Sequence, residues 1–168
     1  MRRAAVLAAS AVLGVAGTVG IAAAQGRTPT DLSTLRPAAG AGPTGPVVLT
    51  VVEHAVSDTT ADTGPRGDSV GDVLAFANPV FDARNTARVG RDNGSCVRTK
   101  VGAAYECSWT LTLRGGSLAV EGPFYDAGDS VLAITGGTGK WLRARGQMRL
   151  HARNTAGSEY DFTYTVVR

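Results

Sequence analysis

"YECSWTLTLR", residues 105–114, decides how this 168-residue chain is read. Tyr105, Cys107, Trp109, Leu111 and Leu113 fall on one side of an extended backbone, and Glu106, Ser108, Thr110, Thr112 and Arg114 fall on the other. Successive side chains of a strand point to opposite faces, so this period of two marks a strand with one apolar and one wet face. The pattern recurs further along, in Met148, Leu150 and Ala152 against Gln147, Arg149, His151 and Arg153. It recurs again in Tyr160, Phe162, Tyr164 and Val166 against Asp161, Thr163 and Thr165. Gly115 and Gly116 mark a tight hairpin into a strand at 117–122. Other strand candidates are 47–56, 71–77, 86–89, 95–100 and 131–135. Beyond residue 46 no segment sustains a 3.6-residue period, so the class is all-β. Eight or so short strands with close turns fit an antiparallel sandwich or a closed barrel, and closure removes exposed edges.

The N-terminal third is built differently. Arg2 and Arg3 precede an uncharged run over 4–24 that ends in Ala22-Ala23-Ala24, the pattern of a cleavable export signal at 1–24 and hence of a secreted protein. The run is also long enough for an uncleaved N-terminal membrane anchor, the alternative reading. Residues 25–46, "QGRTPTDLSTLRPAAGAGPTGP", lack apolar periodicity and read as a disordered linker. Residues 47–168 then form one domain's worth of chain. The 17 basic residues less Arg2 and Arg3 leave 15 against 14 acidic ones, a mature net charge of +1. Arg143, Arg145, Arg149 and Arg153 lie on a wet strand face without interleaved aromatics, so nucleic-acid binding is not expected.

Cys96 and Cys107 meet an oxidising compartment if the chain is exported, and the spacing suits a disulfide across two neighbouring strands, with a free reactive thiol as the alternative. No metal site is expected. Two cysteines alone make a poor one, and neither histidine stands at a ligand spacing from them. In "SDTTADTGPRGDS", 57–69, Asp58, Asp62 and Asp68 do not match a calcium loop and read as a mobile rim loop. "ITGGTGKWLRARG", 134–146, invites a phosphate-binding reading. A Walker loop fails because Ile134 and Trp141 stand where Gly and Ser or Thr are needed. A dinucleotide fold fails because Leu142 replaces the last Gly and too little chain follows. The glycines are expected to take positive φ in a turn between strands.

Glu53 follows Val47, Leu49 and Val51 on one side of the first strand. Turned inward, its charged form is disfavoured and its pKa rises, which suits a general acid; at a barrel rim it pairs with an arginine instead. Asn78 in "FANP" has an amide to offer a substrate oxygen, although Asn-Pro also favours a turn. Phe76, Phe124 and Trp109 are candidate pocket walls, and His54 and His151 are read as exposed.

The segment "DSVLAITGGTGKWLRARGQMRL" resembles the signature of the allene oxide cyclase family, and its Ala-Arg-Gly at 144–146 is similar to that of the related dirigent proteins. "VVEHAVSD", "GDVLAFANPVFD", "VGRDNGSCV", "YECSWTLTL", "LAVEGPFY" and "YDFTYTV" follow the family pattern in the same order. The resemblance implies an eight-stranded antiparallel barrel of lipocalin-like build, with an apolar pocket that guides the cyclisation of a reactive small molecule. It implies an isomerase if catalytic, no cofactor, a small apolar ligand or substrate, and a homo-trimer as in plant relatives. Glu53 matches the family's first-strand glutamate and Asn78 its pocket asparagine, while Cys96 aligns with a pocket cysteine. The chain departs from the pattern at Ala55, where an asparagine is expected, and at Phe124, where a tyrosine is. Two classes of function follow: a secreted cyclase or dirigent-like guide, or a non-catalytic exported barrel that binds an apolar ligand or serves as an interaction module.

Overall fold

Strand follows strand from residue 47 to the C-terminus in a computed structural model that describes residues 45–168. The expected export signal and nearly all of the linker lie outside the described residues. The strands are β1 (Val47–His54), β2 (Thr59–Ala61), β3 (Val73–Asp82), β4 (Arg88–Lys100), β5 (Ala104–Leu113), β6 (Gly116–Tyr125), β7 (Ser130–Gly137), β8 (Arg145–Ala152) and β9 (Glu159–Val167). All neighbours pair antiparallel in the order β1-β9-β8-β7-β6-β5-β4-β3. A further β1–β3 pairing, with Val51 opposite Asp82 and Glu53 opposite Val80, closes eight strands into a barrel. The short β2 pairs, among the described residues, only with β3 and lies outside that ring. The barrel, rather than the sandwich, is therefore the answer for this chain.

Register fixes which residues fill the lumen. Trp109 pairs with Val120 and Gly94, and Leu111 with Leu118 and Asp92, so the inward rows of β4, β5 and β6 align. On the other wall, Tyr164 pairs with Leu49 and Met148, and Phe162 with Val51 and Leu150. Apart from Leu49, which is partly buried against them, these apolar side chains are almost wholly buried, and together they form one contiguous core. At about 25 cal/mol per Å² of apolar surface removed from water, this burial is what holds the barrel closed. The outward residues of the same strands, such as Glu106, Thr112 and Arg149, are exposed, as the alternation requires.

The glycine-rich loop closes one end of the barrel. Contrary to expectation, Gly136 and Gly137 belong to β7 without a positive φ, which among the glycines of this stretch is taken only by Gly139, at 57°, and by Gly146 in β8, at 131°. The constraint at Gly137 is space: a Cβ there would lie 2.4 Å from the Trp141 carbonyl oxygen. After Gly137 a single 3-10 turn (Gly139–Trp141) drives the Trp141 ring into the core, with the cations of Lys140 and Arg168 about 5 Å from it, at 4.9 and 5.1 Å. The loop is thus a packed plug, with no cradle for a phosphate.

Candidate active site

The residue that organises the site is Asn78, which β3 turns into the lumen. It is 1% exposed, and every polar atom of its amide is engaged. Its oxygen accepts hydrogen bonds from the backbone N–H groups of Val56 (3.0 Å) and Ser57 (3.0 Å) and from the Ser57 hydroxyl (2.9 Å). Its nitrogen donates to Glu53 Oε1 at 2.8 Å and to Asp58 Oδ1 at 2.7 Å. One side chain therefore fastens the chain leaving β1 and aims two carboxyls. An amide with both hydrogens committed has none left for a substrate oxygen. Asn78 positions acids, and the turn suggested by Asn-Pro does not form because β3 runs on to Asp82.

Glu53 faces inward and is 5% exposed. The alternative of a rim glutamate paired with an arginine is not what the structure shows, since the partner of its carboxyl is Asn78. Burial is the main reason its pKa is pushed from 4.5 up to about 7; the Asn78 bond opposes the rise and the Asp58 charge adds to it. Glu53 and Asp58 form the polar part of a cavity of about 90 Å³. Its remaining wall is apolar: Leu74, Phe76, Trp109, Phe124, Leu150, Tyr160, Phe162 and the two cysteines. Phe76 meets Trp109 edge-on with ring centroids 5.9 Å apart, above Gly94, where a Cβ would come within 2.3 Å of the Trp109 Cβ. Glycine at this inward position of β4 is what gives the indole its place.

Cys96 and Cys107 face one another across β4 and β5 and form a disulfide, so Cys96 is no free thiol. The bridge lines the cavity as an apolar surface. Phe76, Phe124 and Trp109 all line it too, whereas Asn78 stands behind it. Phe124 packs edge-on against Tyr160 at 6.1 Å, so the site keeps a phenol at its wall although not at position 124. Asp58 was read from sequence as part of a mobile rim, yet it reaches the cavity; the rest of that loop is ordered by β2 and by Asp72, whose carboxyl accepts from Thr63 N–H at 3.0 Å and Ser69 N–H at 2.7 Å. His54 is half-buried, stacked on Phe81 at 4.2 Å and bonded to Asn85, and His151 is exposed.

Sequence reading missed one residue altogether. Asp92 on β4 is fully buried, opposite Asn78 in the β3–β4 register. Burial, then the adjacent Glu53 charge, pushes its carboxyl from 3.8 up to about 9. The signal that hid it was its setting, "GRDNGS", which carries the composition of a turn. Among the described residues no group of His, Cys, Asp and Glu could hold a metal ion.

A protonatable glutamate aimed by an asparagine into an aromatic barrel lumen matches what the sequence motifs imply. The allene oxide cyclase family model matches residues 46–156. The chain belongs to the allene oxide cyclase family. Among solved structures it is similar to a pyocyanin demethylase, at 25% identity and a TM-score of 0.61 over 72% of this chain and 100% of that one. A pterocarpan synthase dirigent protein shares the fold at 18% identity and a TM-score of 0.59, over 72% of this chain and 92% of the other. So does an exo-specific intermolecular Diels–Alderase, at 12% identity and a TM-score of 0.59, over 72% of this chain and 97% of that one.

Proposed function

We propose that this family member is an exported small-molecule cyclase or isomerase, or a dirigent-like guide, that encloses a reactive, largely apolar substrate and folds it toward one product. The observation that carries the reading is the buried Glu53 carboxyl, protonated up to about pH 7, aimed by Asn78 into an aromatic cavity. The lumen supplies orientation and excludes water. Glu53 supplies a proton: it passes from the carboxyl to an epoxide or carbonyl oxygen of the substrate as ring closure begins. It returns to Glu53 when the product oxygen gives it up, so the isomerisation is proton-neutral. A cavity of about 90 Å³ takes the reacting end of a substrate rather than a whole one, because a pocket that accepts benzene is already about 150 Å³. The pyocyanin demethylase, the dirigent protein and the Diels–Alderase support a small-molecule role for such a barrel.

The test is turnover of a panel of epoxide and polyene substrates by the purified domain. Glu53→Gln keeps the shape and the Asn78 contact but has no acid proton, so kcat/KM should fall about 10²- to 10³-fold, the range for loss of a general acid. Unchanged turnover would refute the assignment. In the wild type kcat/KM should fall as pH rises through about 7, where Glu53 gives up its proton. Export is checked by finding the chain outside the cell with its N-terminus near Gln25, and the expected trimer by light scattering.

The second reading, a non-catalytic barrel that holds an apolar ligand, is favoured by the absence of side-chain donors at Ala55 and Phe124 and by an Asn78 with none to spare. Native mass spectrometry separates the two. A co-purified ligand returned unchanged after incubation supports binding alone, and a new cyclic product excludes it.

A further inference from the structure

Asp92 is the buried ionisable group that the chemistry above leaves unused. Neither of its carboxyl oxygens receives a hydrogen bond of ordinary geometry from the described residues. The nearby Asn78 backbone N–H only tempers its environment. No cation answers it either: among the described residues the arginine ion pairs go to Asp68, Asp126, Asp129, Glu159 and Asp161. The titratable groups that face it are the Glu53 carboxyl from β1 and the Tyr164 hydroxyl from β9. Tyr164 lies beside the Trp109 indole N–H from β5, and Asp58 and Tyr160 flank Glu53 on its far side.

An ionised carboxylate buried without a partner costs several kcal/mol, and two carboxyls in contact can share a hydrogen bond only if one of them carries a proton. The geometry says which one holds it more tightly. Glu53 has the Asn78 amide to stabilise its charge and lines the cavity, whereas Asp92 has neither advantage. The order of the two shifts, Asp92 above Glu53, agrees.

We propose that Asp92 is a positioning residue for Glu53: it keeps its own proton through the reaction and donates it, as a hydrogen bond, to the Glu53 carboxylate left behind when Glu53 protonates the substrate. The proposal rests on the reading of Glu53 as the acid. The Glu53 proton moves to the substrate oxygen and comes back, while the Asp92 proton never leaves Asp92. Its effect is to make Glu53 ionisation less costly inside a site that excludes water, as any fixed donor aimed at developing charge does. A neutral carboxylic acid is a donor that an apolar lumen can hold without an accompanying cation.

The experiment is carbon-13 NMR titration of the side-chain carboxyls in the full-length chain, paired with kcat and KM on the substrate panel. In the wild type the Asp92 resonance should be that of a protonated acid at pH 7 and still at pH 8, after Glu53 has titrated. Asp92→Leu removes the donor, so the Glu53 midpoint should rise by about one pH unit and kcat should fall about tenfold with KM nearly constant. Asp92→Asn restores a donor and should bring the Glu53 midpoint back and recover most of the lost kcat. An Asp92 resonance already ionised at pH 7, or a Glu53 midpoint drawn down toward ordinary glutamate values by Asp92→Asn, overturns the proposal. Should Asp92→Leu not fold, these two readings decide alone. The failures are distinguishable: if Glu53→Gln keeps full turnover, the acid reading is wrong. If Glu53→Gln abolishes turnover while Asp92→Leu moves neither midpoint nor kcat, only the role of Asp92 is wrong.

Discussion

Two clusters in this barrel, each built on a buried charged side chain, solve the same electrostatic problem in opposite ways. Around Arg98, whose side chain is 8% exposed, opposite charges meet. Its Nε lies 2.6 Å from Asp68, its Nη1 donates at 2.8 Å to both oxygens of Asp126, and its guanidinium stacks 3.7 Å over the Tyr105 ring. Around Glu53 and Asp92 no cation stands among the described residues, and burial raises both carboxyls toward their protonated forms. The first arrangement ties the loop before β3 and the β6–β7 turn to the end of β4, and it has no proton to give at neutral pH. The second is costly to ionise, and that cost is what makes it an acid. On the proposed function, the difference separates structure from chemistry in a molecule where both use the same residue types.

The largest effect should come from breaking the balanced cluster. Arg98→Met keeps the length of the side chain but gives up the charge-assisted contacts of a buried guanidinium; Asp126 and Asp68, 28% and 38% exposed, can take up water in its place, so the loss should be about 2 kcal/mol. Urea unfolding should show this as a lower midpoint at unchanged slope, while the Glu53 titration stays where it was. A cost under about 1 kcal/mol would mean that the cluster is as water-exposed as a surface pair, and the contrast would fail.

A smaller effect should appear in how stability depends on pH. Glu53 and Asp92 have native values above their ordinary ones, so between about 4.5 and 7 for Glu53, and about 3.8 and 9 for Asp92, the native state holds more protons than the unfolded chain. Stability therefore falls as pH rises through those windows. Asp72 works the other way. The Thr63 and Ser69 N–H bonds lower its value, so its contribution is present at neutral pH and is lost only as pH falls below the ordinary aspartate range. From pH 5 to 9 the two lumen acids set the trend. Glu53→Gln and Asp92→Asn should each flatten the decline of stability with pH, Glu53→Gln below about pH 7 and Asp92→Asn up to about pH 9, with a ceiling of about 1.4 kcal/mol per pH unit for one proton. Arg98→Met should leave the slope untouched.

How much of this was legible in the sequence follows from the same contrast. β5, β8 and β9 alternate cleanly because their lumen faces are apolar, and Tyr105, Cys107, Trp109 and Leu111 stand inward as read. The sequence marks β3 and β4 only in pieces, at 71–77, 86–89 and 95–100. Their inward rows carry Asn78, Asp92 and Gly94, polar or glycine where a half-buried strand is expected to be apolar. The site is written in the residues that break the pattern, so pattern reading stops where the chemistry begins. Glu53 escaped this because three apolar residues precede it on its own face. Asp92 did not, because Asp-Asn-Gly is turn chemistry in any local reading. The Asn78 role was beyond local reading too, since it depends on which carboxyls the β1–β3 closure brings to one amide.

The smallest effect is expected at an ion pair that looks much like that of Arg98. Arg149 donates to Asp129 from the outer face of β8, and His151 bonds the other carboxylate oxygen at 2.6 Å. His151 first and then Arg149 hold the Asp129 carboxyl below its usual range, so the charges do feel one another. Yet the Arg149 side chain is 62% exposed, so its removal gives up little buried contact and leaves Asp129 bonded to His151 and within reach of water and salt. Arg149→Ala should therefore leave the thermal midpoint unchanged at physiological ionic strength and lower it slightly, if at all, in dilute buffer. Were this variant as damaging as Arg98→Met, burial would not be what divides the molecule's charges into those that hold the fold and those that merely decorate it. The inference that the buried, unanswered acids of the lumen are there for chemistry would then lose its footing.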